Sequence, residues 1–316
     1  MTPQVVLVGN TVADLFTEVG HFPQGSAPEF GPASLVVTEH AVRFNVGGNA
    51  GRAAGLLARL GTSVQLFTRL GTDVWGRLLR SELERDGVEV VSSGECESSS
   101  NFVATQADGN RVSFFYPGEP DYGSPSVGPG TKFVAIAACP FPKPSDIEGW
   151  YRAVLEASVP VLIDPGPALV GRPALRDLAS LRGPGVYLTL NSFELADLTG
   201  CRELRDGLDK AHECGFSHLV VKLGERGAVV STAAAGRPAL LPSSPLPRVS
   251  STTVGAGDAF NAGLLHGLVN GLDLLRAAAL GNRVACTALS AVWASSPHGI
   301  DVLSGLDQDV SHLQEV

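Results

Sequence analysis

The chain has no block of basic residues, no paired-cysteine motif, few aromatics and no long apolar run. Each absence removes a class of function. Lys and Arg number 23 against 32 Asp and Glu, a net charge of −9, so neither nucleic acid nor an anionic membrane is the expected partner. The five cysteines (Cys96, Cys139, Cys201, Cys214, Cys286) are scattered without C-x-x-C spacing. An odd count in a long chain fits free thiols in a reducing compartment better than a disulfide framework or a metal cluster. The histidines show no ligand spacing either. No segment approaches the roughly 18 consecutive apolar residues of a membrane helix. The apolar run at 5–8 is too short, and lacks the basic flank, to read as a signal peptide. A cytoplasmic protein is expected.

What is present is a large apolar fraction, 44% of 316 residues, enough for a sizeable core. Short apolar runs without alternation at 5–8, 64–68, 132–138, 159–164, 186–190 and 219–223 read as strands buried on both faces of a parallel sheet. Helical patterns separate them, notably 49–60, 75–86, 258–269 and 274–294. Alternating pieces at 35–38, 41–45 and 98–116 read instead as a small antiparallel sheet, with a hairpin turn at Asp108-Gly109-Asn110. Residues 219–223 and 227–232 form a second hairpin through Gly224-Glu225-Arg226-Gly227. The expected architecture is one α/β domain over 1–316, with a β lid built from insertions at roughly 12–45 and 98–117.

The chemistry concentrates in Thr253-Val254-Gly255-Ala256-Gly257-Asp258-Ala259-Phe260. Gly255, Ala256 and Gly257 leave backbone N–H groups free to face an anion at a helix start, where the dipole adds positive potential. Asp258 sets a base beside that anion hole, an arrangement suited to moving a phosphoryl group onto a hydroxyl. The same residues also suit a plain helix cap. The spacing fits neither a dinucleotide fingerprint nor a Walker-type loop.

Further polar residues fall at strand ends, where open parallel sheets bind ligands. Asn191 and Glu194 are three apart on one helix face and could orient the waters of a nucleotide-bound Mg²⁺. They also match a capping box. Lys222, Gly224 and Gly227 surround a turn that lets a ligand approach the backbone, or simply closes a hairpin. Asn10 and Asp14 follow the first strand and suit hydrogen bonds to sugar hydroxyls. Gly47, Gly48 and Asn49 would add backbone and amide contacts there, or form a turn and a helix cap. The turn over 69–76 reads as structural.

In this order the motifs resemble the ribokinase family of PfkB-type sugar and nucleoside kinases over nearly the whole chain. Two signatures carry the resemblance: Gly47-Gly48-Asn49-Ala50-Gly51-Arg52-Ala53-Ala54 and Thr252-Thr253-Val254-Gly255-Ala256-Gly257-Asp258-Ala259-Phe260. The resemblance implies a three-layer sandwich with a central, mostly parallel sheet and a β lid, and transfer of the γ-phosphoryl of ATP. It implies Asp258 as base, Gly255, Ala256 and Gly257 as anion hole, and Asn191 and Glu194 as an indirect Mg²⁺/phosphate motif. Lys222, Gly224, Gly227, Thr253 and Asn282 fall on the nucleotide side, and Asn10, Asp14, Gly47, Gly48, Asn49 and Arg52 on the substrate side.

Two positions depart from the family. Thr252 replaces an Asp that helps shape a monovalent-cation site, which puts potassium activation in question. Arg52 replaces an Asn that commonly contacts the sugar. It either reads an anionic group on the substrate, faces solvent, or pairs with a lid carboxylate. The low aromatic content favours a sugar acceptor. A nucleoside kinase and a non-catalytic sugar or nucleotide sensor are the alternatives. The exposed edges and face of a small lid sheet suggest a homodimer.

Overall fold

The computed structural model describes residues 2–20, 22, 38, 40–92, 96–106, 110–118, 122–123, 125–137, 159–166, 183–234, 237–243, 254–289 and 314–315. A ten-stranded sheet runs through the body in the order β14-β13-β12-β11-β10-β9-β8-β1-β4-β5. Its parallel part comprises β1 (Val5–Gly9), β4 (Val64–Thr68), β5 (Glu89–Ser92), β8 (Phe133–Ala137), β9 (Val161–Asp164), β10 (Gly183–Asn191) and β11 (Phe216–Lys222). β12 (Ala228–Thr232), β13 (Ala239–Leu241) and β14 (Gln314–Glu315) extend one edge antiparallel. The chain steps outward from β1 to β4 and β5, then returns to β8 on the other flank of β1. The sheet therefore switches direction between β1 and β8, the point where open α/β sheets leave a crevice at the carboxyl ends of the strands.

Strand alternation divides the core into two layers. Val5 and Leu7 face a cluster with Ala53, Leu57, Leu264 and Leu280. These come from α1 (Asn49–Arg59), α5 (Ala256–Val269) and α6 (Leu274–Leu289). Val6 and Val8 face the opposite cluster, with Leu195 and Leu208 from α3 (Ser192–Thr199) and α4 (Leu204–Glu213). Every residue of β1 and β8 is buried, as near-continuous apolar runs require in a sheet covered on both faces. The expected three-layer α/β sandwich is what the chain forms.

A separate four-stranded sheet has the order β3-β2-β6-β7, from β3 (Arg43–Gly47), β2 (Val12–Glu18), β6 (Ser99–Thr105) and β7 (Arg111–Tyr116). β6 and β7 form the expected hairpin, and β2 pairs with β6 in parallel. The turn of α2 (Val74–Arg85) ties this lid to the body. Asp73 caps that helix by accepting from Gly76 N at 2.7 Å, and it also accepts from Ser98 N at 2.7 Å.

Several boundaries move. The strand expected at 41–45 spans 43–47, so Gly47 ends a strand and Gly48 alone caps α1. α5 begins at Ala256, two residues ahead of the apolar run, because Gly255 turns the backbone left-handed (φ 85°) just before it. The short edge strand β5 and the short strand β13 exist through pairing with β4 and β12, which no local period announces. Residues 35–37 of the strand expected at 35–38, Asp108 and Gly109 of the expected turn Asp108-Gly109-Asn110, and residues 290–294 of the helix expected over 274–294 lie outside the described residues.

Candidate active site

The carboxyl ends of β1, β9, β10 and β11 bring most of the sequence-derived residues to one rim. Asn10 is buried just beyond β1, and Asp14 is buried in β2. Asn101 Nδ2 donates to Asp14 Oδ1 at 3.3 Å. Gly47 lies so close beneath that a β-carbon there would overlap the Asp14 carboxylate. Burial raises the Asp14 pKa against the opposing pull of the Asn101 hydrogen bond and the Arg52 charge.

Asn101 was not singled out by sequence, since only the β2–β6 register sets it opposite Asp14. Its Oδ1 is buried and accepts no hydrogen bond among the described residues. A buried acceptor in that state costs about 1–3 kcal/mol until a donor reaches it. The same register row continues to Asn45 on β3 and Phe115 on β7, which puts the four side chains on one face of the lid.

Across the rim, Gly255 caps α5 without any side-chain hydrogen bond. The first N–H to bond within the helix is that of Ala259, to Gly255 O at 3.0 Å. Those of Ala256, Gly257 and Asp258 belong to the open first turn. Lys222 Nζ approaches within 3.6 Å of where a β-carbon on Gly257 would sit. Asp258 follows one residue on, its carboxyl pushed up to about 7. Burial is the main cause, Arg52 and Lys222 pull it down, and Asp164 and Asp14 push it up.

Lys222 closes a polar network that joins three strands to α5. Its ammonium is 3.0 Å from Asp164 Oδ2 and 3.4 Å from Asn261 Oδ1. Asn261 Nδ2 donates to Asp164 Oδ2, Thr189 Oγ1 donates to Asn261 Oδ1 at 3.0 Å, and Gly166 N donates to Asp164 Oδ1 at 2.9 Å. Burial works against the Lys222 charge. The carboxylates of Asp164, Glu194 and Asp258 outweigh it and raise the pKa. Asp164 and Asn261 were also missed. Asp164 could have been found as a carboxylate ending an apolar strand, the criterion that picked out Asn191.

Asn191 and Glu194 form a full capping box. Glu194 N donates to Asn191 Oδ1 at 2.8 Å, and Asn191 N donates to Glu194 Oε2 at 2.7 Å. The capping reading of this pair is the one the chain forms, and the box at the start of α3 leaves the Glu194 charge close enough to act on Lys222. Gly224 opens the short 3₁₀ turn Gly224–Arg226, and Gly227 follows it into β12. Asn282 is turned to the loop after β13, donating to Leu241 O and Pro242 O at 3.4 and 3.3 Å. Asn49 opens α1, and Thr252 and Thr253 lie outside the described residues. Arg52 is half-buried and makes no ion pair with the described residues of the lid. Nη1 donates to Val254 O at 3.2 Å, with the guanidinium over Gly255. No group of three or more His, Cys, Asp or Glu converges to hold a metal ion, and no helix is long and apolar enough to cross a membrane, among the described residues.

A half-buried carboxylate beside open helix-start amides, under a lid that carries the buried Asp14, suits a small-molecule phosphotransferase. The pfkB family carbohydrate kinase model matches residues 2–298; the chain belongs to the PfkB family and is an ATP-dependent sugar or nucleoside kinase. It is 27% identical over 254 residues to an uncharacterised sugar kinase of Archaeoglobus fulgidus, covering 78% of this chain and 99% of that one. It is 31% identical over 273 residues to aminoimidazole riboside kinase of Salmonella typhimurium, covering 77% and 81%. In fold it is similar to Arabidopsis thaliana ribokinase complexed with ribose and ATP, with a TM-score of 0.76, 22% identity and coverage of 99% and 100%.

Proposed function

We propose that the chain transfers the γ-phosphoryl group of ATP to a hydroxyl of a neutral, polyhydroxylated sugar, with Asp258 as base. The single observation that carries this reading is Asp258 itself, a carboxyl pushed up to about 7 one residue past the open amides of Gly257 and Ala256. A base with that affinity takes a proton at neutral pH and still releases it between turnovers. The acceptor oxygen bonds to the γ-phosphorus as the bond to the bridging oxygen breaks. The hydroxyl proton passes to Asp258, and the electron pair leaves with ADP. The amides from Gly255 to Gly257 and the Lys222 ammonium stabilise the charge on the transferring group.

Asp14 and Asn101 together offer acceptors for adjacent sugar hydroxyls, and the buried Asn101 Oδ1 gains its missing donor. Asn10, Gly47, Gly48 and Asn49 line the same side. We assign Asn191, Gly224, Gly227 and Asn282 to the nucleotide side; Thr253, expected there as well, lies outside the described residues. Among the described residues no carboxylate cage forms for Mg²⁺, and Asn191 Oδ1 and Glu194 Oε2 are already engaged in the capping box. Glu194 would reach the ion through water, with the nucleotide phosphates as its ligands. Mg²⁺ supplies charge neutralisation on those phosphates.

A nucleoside acceptor is the second reading, favoured by Phe115, which shares the lid row of Asp14 and Asn101 and stays 38% exposed. ADP release measured over a panel of neutral sugars, acidic sugars and nucleosides separates the two. Binding without ADP release across the panel would instead indicate a sensor. We further propose a cytoplasmic location and a homodimer joined through the lid. The lid face opposite Asp14 exposes Phe102, Val112, Phe114 and Tyr116, a patch of the kind that pairs with a second copy.

A further inference from the structure

Arg52 is the fourth residue of α1, a helix whose first turn holds no acidic residue. A cation there is opposed by the positive end of the α1 dipole, and its head lies against the start of α5, where a second dipole opposes it. Something specific must offset that cost. Nη1 is bonded to Val254 O, and the guanidinium occupies the space over Gly255, where any side chain would overlap it. Two carboxylates feel its charge, Asp14 on β2 and Asp258 on α5. A guanidinium anchored on a carbonyl, with its charge acting on two carboxylates already present, is poorly suited to read an acidic substrate.

We propose that Arg52 is a positioning residue for phosphoryl transfer: fixed on Val254 O, it holds the Gly255 turn that aims the helix-start amides, and it keeps a permanent positive charge beside Asp258. The proposal rests on the kinase reading above. Asp258 is faced by Arg52 from α1, Asp164 from β9, Lys222 from β11 and Asp14 from β2. Of the two cations, Lys222 is tied to Asp164 and Asn261, which leaves Arg52 as the cation that links the lid side to the base. An arginine held in this way does the work of an added counter-ion at the transfer site, without having to be bound from solution.

The experiment compares wild type, Arg52→Gln and Arg52→Lys with the best acceptor of the panel. Removing one charge-stabilising group from such a site lowers kcat by about 100-fold, while KM for the acceptor moves by no more than about threefold. The acid limb of the kcat profile moves to higher pH in Arg52→Gln. In Arg52→Lys the limb stays near its wild-type position while kcat remains low, because a point charge cannot reproduce the fork on Val254 O. A raised KM with kcat retained would make Arg52 a substrate reader and overturn the proposal, as would wild-type kcat and pH limb in both variants. Carboxyl ¹³C titration of Asp258 reads the Arg52 charge independently of turnover. If no acceptor is phosphorylated, the kinase reading fails, and an unchanged titration in Arg52→Gln would overturn the Arg52 assignment separately.

Discussion

The Asp14 carboxylate lies directly over the α-carbon of Gly47, two strands of the lid meeting where neither could carry a larger pair. Gly47 is thus kept free of a side chain by Asp14 rather than by its own turn. Gly47→Ala must push the carboxylate aside and, with it, the Asn101 amide that donates to it. The expected result is a KM for the acceptor raised about 10- to 100-fold, with a smaller change in KM for ATP. Steady-state kinetics with each substrate varied in turn checks the split. Equal changes for both substrates would contradict the assignment of Asp14 to the acceptor side.

Asp258 links activity to pH in a definite direction. The base works as carboxylate, so kcat rises with pH through about 7 and then levels. Stability runs the opposite way. The folded pKa lies above the unfolded value of 3.8, so stability present below that value is lost as pH rises through about 7. Asp258→Asn removes the ionisation. It should abolish transfer, leave ATP binding largely intact, and melt higher than wild type at pH 8, by about 2–4 °C for each kcal/mol regained. The gap in Tm should shrink as pH is lowered toward 5. A variant that keeps near-normal turnover would remove Asp258 from the role of base.

These two residues also mark what could be read before the fold was known. The helix start at Gly255 to Asp258 was legible because its bare amides and a carboxylate are adjacent in the chain, and a helix start is a local event. The parallel strands were legible as unbroken apolar runs. Asn101 was not, because its value comes from the β2–β6 register, 87 residues away from Asp14. Asp164 and Asn261 were passed over for the same reason: their meaning lies in Lys222, which β11 delivers from elsewhere. Arg52 was noticed as irregular, but its reach to Val254 crosses 202 residues and follows from the packing of α1 on α5, which no spacing rule supplies.

Lys222 and Asp164 form a largely buried ion pair, with side chains 14% and 5% exposed. Breaking such a pair from one side leaves an uncompensated charge, a loss of about 3–5 kcal/mol. Asp164→Ala should therefore destabilise strongly in urea unfolding. The double variant Asp164→Ala with Lys222→Met should recover a large part of that loss, since the stranded ammonium is gone. Additive losses would show that the two side chains act independently.

The lid's outer face carries Phe114 at 67% exposure beside Phe102, its register partner, and Val112. An apolar face this open on a small sheet is stable in water at some cost, which a second copy removes by covering it. Sedimentation should then give wild type at twice the 32.8 kDa chain mass at micromolar concentration. Phe114→Glu places a charge in the middle of that patch, where burial would cost several kcal/mol without a partner, so the variant should sediment as a monomer. Phe114 points away from the face that carries Asp14 and Asn101. Any change in acceptor KM in the monomer therefore reports how far pairing steadies the lid. A wild-type monomer would leave the patch uncovered and exclude the lid as a dimer interface.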